Sequence, residues 1–179
     1  NQAEAPNLPN GWAYALPTEA QWEFAARADT ITAYPWGDDI NSSHANYNWD
    51  GNPNDGIDFQ RTRDAGQYPA NPWGFYDLHG NVWEWVADRM GGYSADPKVD
   101  PKGLESGDTY VTRGGSFDYD GEALRSFRRE GNIRSTRYGH IGFRLALRYF
   151  NQAPVDLNST APLTIAENQP VGEIVGEFN

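Results

Sequence analysis

The sequence predicts an α+β domain with little regular secondary structure. One segment carries a complete helix-start signal, and three short runs have the residue pattern of β-strands. The stretches between them are crowded with turn-forming residues, including 19 Gly and 12 Pro among 179 residues. This combination is typical of folds in which loops make up much of the chain.

The helix is predicted to begin after Thr18 and to end near Ala28. Thr18 is a suitable N-cap, and Gln21 three positions later completes a capping box. Glu19 lies where its negative charge is favourable at the positive end of the helix dipole. The helical spacing places Trp22 and the alanines that follow it on the core side.

The three β-type runs cover residues 82–87, 109–113 and 141–149. The last run alternates apolar and other side chains along its length and is the best strand in the sequence. Residues 30–72 show no sustained period, because Asn, Asp, Gly and Pro interrupt every pattern. An irregular stretch of this length inside a compact domain needs a stabilising agent, and a bound metal is one candidate.

Composition excludes several classes of protein. The chain has no Cys, which removes disulfides, thiolate metal sites and cysteine nucleophiles. Its net charge of -11 and mean hydropathy of -0.77 could indicate disorder, but seven Trp, ten Tyr and eight Phe supply buriable surface. No run approaches the ~20 apolar residues of a membrane helix. We expect neither a membrane span nor a nucleic-acid partner.

Catalytic motifs are scarce. His44, His79 and His140 match no metal-binding spacing, and no phosphate-binding loop is present. A Ser-His-Asp triad stays open by residue count, but the chain has no nucleophile-elbow motif. The Gly114-Gly115-Ser116 segment instead predicts a strand end at which the backbone passes close to another part of the fold.

Oxygen donors give the clearest signal. Asp77 and Glu84 lie seven residues apart around Gly80, which permits a tight turn. A hard cation such as Ca²⁺ takes six to eight oxygen ligands, and a curled loop can add backbone carbonyls to two carboxylates. The alternative is a solvated turn that precedes a strand.

Seven ordered motifs in residues 12–149 resemble the formylglycine-generating enzyme family, also called the sulfatase-modifying factor family. The resemblance implies a C-type-lectin-like formylglycine-generating-enzyme fold, stabilised by Ca²⁺. The motifs are LPTEAQWEFAAR (16–27), YPWG (34–37), ANY (45–47), NPWGFYD (71–77), GNVWEW (80–85), RGGSF (113–117) and GFR (142–144).

The resemblance also implies the Ca²⁺ ligands of one site. The side chains of Asp77 and Glu84 and the carbonyls of Gly80 and Val82 correspond to family ligands.

A second implied site uses the Asn46 side chain and the Tyr47 carbonyl, together with a carboxylate from residues 54–59. There the chain departs from the family pattern, because Ile57 occupies the position of the family's Asp. Asp58 or Asp55 could substitute after a small shift.

The positions of the family's catalytic cysteines carry other residues. Family enzymes oxidise a sulfatase cysteine with O₂, using copper held by two thiolates. Here Tyr119 and Leu124 stand in those two places, and neither can hold Cu(I). Ser116 is retained, with no evident residue to assist it. We therefore expect no copper and no activity of the formylglycine-generating type.

The expected domain organisation has two parts. Residues 1–149 correspond to a sulfatase-modifying-factor-like domain whose N-terminal part is missing, and residues 150–179 to a linker and the first strands of a cadherin-like domain. We expect residues from about 151 onward to be mobile in the isolated chain. The combination suggests a secreted or surface protein, bacterial and multidomain.

The leading hypothesis is a noncatalytic, Ca²⁺-stabilised binding or structural module. Its partner would be a peptide, a protein or an anionic ligand. Arg125, Arg128 and Arg129 of the segment 125–137 would line the cleft that corresponds to the family's active site. The competing interpretation is that these arginines pair with the chain's own acidic loops. Two rival functions are a sulfoxide-synthase-type oxidoreductase using a metal from another domain, and an accessory domain that presents substrate to an enzyme elsewhere in the polypeptide.

Overall fold

A computed structural model describes residues 8–48 and 60–150 of the chain. Within them lie one α-helix, one 3₁₀ helix and six strands, which confirms the predicted α+β class. In chain order the elements are β1 (Trp12–Ala15), α1 (Glu19–Arg27), β2 (Trp83–Arg89), β3 (Thr109–Arg113), the 3₁₀ helix (Gly121–Leu124), β4 (Arg129–Ile133), β5 (Ile141–Phe143) and β6 (Ala146–Tyr149).

The strands form two sheets. The larger sheet has the order β4-β3-β2-β5, with β5 parallel to β2 and the other pairs antiparallel. The smaller sheet is the antiparallel pair β1-β6, which joins the two ends of the described region. The register of β2 against β3 shifts between Trp85 and Arg89, so β2 bends past its midpoint.

The helix follows its sequence signals. Thr18 is the N-cap, and its capping box with Gln21 is complete, as predicted. The helix ends at Ala28, whose left-handed conformation directs its N–H to the Phe24 carbonyl. Trp22 is only 1% exposed and faces the core, as expected from the spacing.

The strand predictions have a mixed outcome. The predictions for 82–87 and 109–113 are confirmed as β2 and β3. The single strand predicted over 141–149 is wrong, because the chain leaves the large sheet after β5 and enters the small sheet with β6. The break falls at Arg144, whose guanidinium bonds to the Glu84 carboxylate and to the carbonyls of Tyr76 and Asp77.

Two further strands, β1 and β4, were not predicted. In the described parts of residues 30–72 there is no helix or strand, in agreement with the irregular pattern.

The core consists of two clusters. One lies where α1 packs against β2 and β3 and contains Trp22, Ala26, Leu78, Val86 and Val111. The other lies under the irregular loops and contains Tyr34, Ala45, Tyr47, Trp83, Ala123 and Leu124. Bulky aromatic residues therefore supply much of the burial that regular elements supply in other folds.

Two of the sequence predictions concern residues that the structure does not describe. They are Asp58 of the second predicted calcium set, and residues 151–179 of the segment 150–179 predicted as a linker and the first strands of a cadherin-like domain. Within the described residues, no helix is long and apolar enough to cross a membrane.

Candidate functional site

The Gly114-Gly115-Ser116 turn positions the predicted site residues Ser116 and Tyr119, which are called the Ser116 centre below. Gly114 and Gly115 have φ values of 93° and 73°, which favour glycine. A Cβ on Gly114 would lie 2.9 Å from the Leu78 carbonyl oxygen, and one on Gly115 would lie 2.5 Å from Leu124 Cδ1. The close backbone approach predicted from the sequence is confirmed.

Ser116 has a partner that the local sequence did not suggest. Its Oγ is fully buried and donates to Asp118 Oδ1 at 2.6 Å. The second carboxylate oxygen of Asp118 lies 3.0 Å from His140 Nδ1. The carboxylate thus joins a serine and a histidine, and Ser116 makes no hydrogen bond to His140, so this is not a Ser-His-Asp triad.

Tyr119 and Leu124 are the two residues expected, from the resemblance, to stand in place of the family's cysteines. Tyr119 is 38% exposed and packs edge-on against Trp83, with ring centroids 5.4 Å apart. Burial, then the nearby Asp118 carboxylate, raises the pKa of Tyr119. Leu124 is fully buried and belongs to the same core cluster as Trp83.

Each of the three predicted cleft arginines lies beside a carboxylate. Arg125 pairs with Glu122, and Arg128 lies 3.7 Å from Glu130. Arg129 binds Glu19 at 2.8 Å and lines the cavity between α1 and the loop of residues 91–104. Arg125 and Arg128 are not among the residues that line this cavity. The three guanidinium groups are therefore distributed over separate environments.

Arg144 ties the two ends of the Asp77–Glu84 turn together. Arg144 donates to both oxygens of Glu84 at 2.6 Å and to the Asp77 carbonyl at 3.3 Å. Trp22 Nε1 also donates to Glu84 Oε2, so three of the roughly four acceptor positions of this carboxylate are used. Asp77 Oδ2 accepts from the Gly66 N–H at 2.6 Å.

The turn packs directly on Asn46, the side-chain ligand of the second predicted set. The Asn81 N–H donates to the Asn46 carbonyl at 2.8 Å, and a Cβ on Gly80 would lie 2.4 Å from that oxygen. The Asn46 side chain is 2% exposed and donates to the Arg61 carbonyl and to Asn81 Oδ1. Its own Oδ1 is buried and has no hydrogen-bond partner among the residues that the structure describes. A buried oxygen in this state is what a cation ligand requires.

Side chains alone do not assemble a metal centre. Within residues 8–48 and 60–150, no group of three or more His, Asp or Glu side chains is placed to hold a metal. The first predicted set contains two carboxylates, and its other two members are backbone carbonyls.

A buried ion cluster beneath α1 was missed by the sequence reading. Arg113 is fully buried and pairs with Glu23, with its Nε 3.7 Å from Glu19. It also donates to the carbonyls of Ser126 and Arg128 and lies over the Trp22 ring. Burial is the largest influence on Glu19 and raises its pKa, against the opposing effect of Arg113 and Arg129. This cluster joins the helix to β3 and β4.

A comparison with protein families identifies this arrangement of motifs. The model of the sulfatase-modifying factor enzyme 1-like domain matches residues 2–149. The chain belongs to this family. The matched residues include α1, the glycine turn and the Asp77–Glu84 loop.

Curated relatives include both active and inactive proteins by name. The formylglycine-generating enzyme of Thermomonospora curvata is 36% identical over an alignment 149 positions long, which covers 73% of this chain and 48% of that protein. The inactive C-alpha-formylglycine-generating enzyme 2 of Bos taurus is 34% identical over an alignment 139 positions long, which covers 73% of this chain and 43% of that protein. The chain thus spans less than half the length of either relative.

A solved structure gives the same answer for the fold. PvdO from Pseudomonas aeruginosa superposes with a TM-score of 0.65 and 31% identity, covering 76% of this chain and 53% of that one. The chain therefore has the formylglycine-generating-enzyme fold predicted from its sequence.

Proposed function

We propose that this chain is a noncatalytic, Ca²⁺-stabilised binding or structural module. Its setting would be a secreted or surface bacterial protein with further domains, a cadherin-like one among them. The observation that carries the proposal is the packing at Leu124. A side chain that is fully buried in an aromatic cluster offers no ligand atom where the family's copper chemistry needs one.

Residue chemistry supports the noncatalytic assignment. Cu(I) is stabilised by soft donors, and the chain has no cysteine. Tyr119 supplies a phenol, which suits a harder ion, and its raised pKa keeps the phenol protonated at neutral pH. One relative of this chain is named an inactive formylglycine-generating enzyme, which supports the proposal that a member of this family can lack the activity.

The proposed Ca²⁺ role rests on the donors around Asn46 and the Asp77–Glu84 turn. The unpaired, buried Asn46 Oδ1 fits a cation, with the Tyr47 carbonyl and Asp58 completing the proposed set. In the adjacent set, Glu84 keeps one acceptor position on Oε1, and Asp77 with the carbonyls of Gly80 and Val82 would complete it. A bound Ca²⁺ would neutralise the negative charge of these oxygen ligands and would hold the irregular loops together.

The noncatalytic assignment is tested with a sulfatase-type cysteine peptide. The chain is incubated with the peptide, copper and O₂, and the peptide mass is followed. We expect no aldehyde product above a control without protein. Conversion of the cysteine to formylglycine would refute the assignment.

The Asp118 network favours a second candidate function, a sulfoxide-synthase-type oxidoreductase that uses a metal from another domain. His140 is oriented by a carboxylate beside Tyr119, with ring centroids 5.9 Å apart. Oriented histidines of this kind serve as bases or metal ligands. If this function holds, the full-length protein with iron should consume O₂ and a thiol, and His140→Gln should abolish that consumption. Equal consumption by parent and variant would exclude a role for His140.

A further inference from the structure

A cavity of ≈ 640 Å³ lies away from the Ser116 centre, between α1, the end of β2 and the loop of residues 91–104. Its walls carry Phe24, Tyr93, Leu104 and Phe127, which are between 49% and 70% exposed. The volume is that of small-molecule sites, which combine apolar walls with a few fixed polar groups.

Asp88 supplies the fixed polar group. It is 3% exposed, lines the cavity, and accepts the Glu19 N–H on Oδ2 at 2.7 Å. Within the described residues its other oxygen has no hydrogen-bond donor, and no Lys, Arg or His nitrogen lies within 4.0 Å. Arg148, Arg129 and Arg113 act on this carboxylate from beyond 4.0 Å, so a cation in direct contact would stabilise it further.

The other buried or partly buried acidic groups of the cavity already have ion-pair partners, which makes Asp88 the carboxylate at which a cation would bind. Glu19 is paired with Arg129, and Glu23 is paired with Arg27 and Arg113. Arg129 also donates to the Gly91 carbonyl and lies 4.5 Å from the centre of the Tyr93 ring. These groups are already engaged, so an incoming charged ligand gains most at Asp88.

The mouth of the cavity limits the charge of the ligand. Lys98 and Lys102 line it, are exposed, and have no carboxylate within 4.0 Å among the described residues. A second positive group on the ligand would meet like charge there. The apolar walls between mouth and floor favour a hydrocarbon or aromatic body.

We propose that this cavity binds an organic monocation, with an ammonium group at the Asp88 carboxylate and an apolar body between Phe24, Leu104 and Phe127. Aromatic walls beside a carboxylate are the environment in which proteins recognise ammonium groups. The site is independent of the Ser116 centre and of the proposed Ca²⁺ sites.

Three six-carbon probes that differ in charge test whether the cavity prefers a monocation. Hexylammonium, 1,6-diaminohexane and hexanoate are titrated into the 179-residue chain, and dissociation constants are measured by calorimetry or by NMR shifts of the cavity residues. We expect hexylammonium to bind at least about tenfold more tightly than either other probe, as for one charged hydrogen bond. Equal binding of hexanoate, or no binding of hexylammonium, would overturn the proposal.

A pair of variants locates the ammonium. Asp88→Asn keeps an oxygen for the Glu19 N–H but removes the charge, and it should weaken hexylammonium binding at least about tenfold. Asp96→Asn, at an exposed acid of the same lining, should change binding less than about twofold. Parent-like affinity in Asp88→Asn would refute the assignment. If that variant does not fold, Phe24→Ser gives the test, because loss of this exposed wall residue should weaken binding and unchanged affinity would refute the site.

Discussion

A methyl group added at Gly115 should destabilise the domain in a way that depends on Leu124. The left-handed φ of 73° costs a non-glycine residue roughly 1–2 kcal/mol. The new Cβ would also lie 2.5 Å from Leu124 Cδ1 and 2.9 Å from its Cγ, and overpacking of this kind costs about 1–3 kcal/mol. Gly115→Ala should therefore lower the free energy of unfolding by about 2–5 kcal/mol.

The same substitution should cost less when Leu124 is truncated. Leu124→Ala alone removes a fully buried side chain and should cost about 2–5 kcal/mol. In that background the contacts to Cγ and Cδ1 are gone, and the Ala123 carbonyl at 3.0 Å still crowds the new methyl group. The cost of Gly115→Ala should fall by about 1–3 kcal/mol, the overpacking part of the total.

Urea unfolding of the parent, the two single variants and the double variant measures this coupling. Tryptophan fluorescence reports the unfolding. Gly74→Ala is the matched control, since Gly74 has φ of 83° but no atom within 4 Å of the added Cβ. It should cost roughly 1–2 kcal/mol in either background. If Gly115→Ala costs the same with and without Leu124, to within about 0.5 kcal/mol, the side chain does not fill the centre and the noncatalytic argument loses its basis.

Two further predictions concern stability. Millimolar Ca²⁺ should raise the melting temperature relative to excess chelator, by about 2.7 kcal/mol of added stability at 100 times the dissociation constant. Asp77→Ala and Asn46→Ala should each reduce that effect, and an unchanged midpoint in the parent would count against the sites. Arg113→Met should lower the free energy of unfolding by about 3–5 kcal/mol, because it leaves the buried Glu19 and the partly buried Glu23 with one cation fewer. Arg128→Met, at a half-exposed pair, should cost less than about 1 kcal/mol in the same urea titration, and similar losses in both variants would contradict the predicted importance of burial.

Local signals in the sequence predicted the elements that local interactions build. The helix start depends on Thr18 and Gln21, which are three residues apart, and its boundary was predicted correctly. Strand β4 could not be found in this way, because its REGNI sequence is polar and contains Gly. It forms by pairing with β3 over Thr109–Arg113, which is a tertiary interaction.

The polar centres show the same division. The glycine turn could be predicted from two adjacent residues, whereas Ser116 and His140 meet through Asp118 across 24 positions of the chain, with no local motif to mark them. Arg113 was also invisible to sequence reasoning. Arginine is seldom fully buried, and here its two glutamate partners on α1 and the carbonyls of Ser126 and Arg128 make that burial tolerable.

The burial of Leu124 also bears on where this domain can bind. A reactive metal centre has to keep ligand atoms accessible, but Leu124 closes the core with a side chain that is fully buried. Tyr119 remains partly exposed and presents an aromatic edge. Among the described residues, Asp88 is a buried carboxylate that has no Lys, Arg or His nitrogen within 4.0 Å and still lines a cavity. If the domain binds a ligand and does not catalyse a reaction, the ligand would therefore bind more favourably in the cavity at Asp88 than at the Ser116 centre.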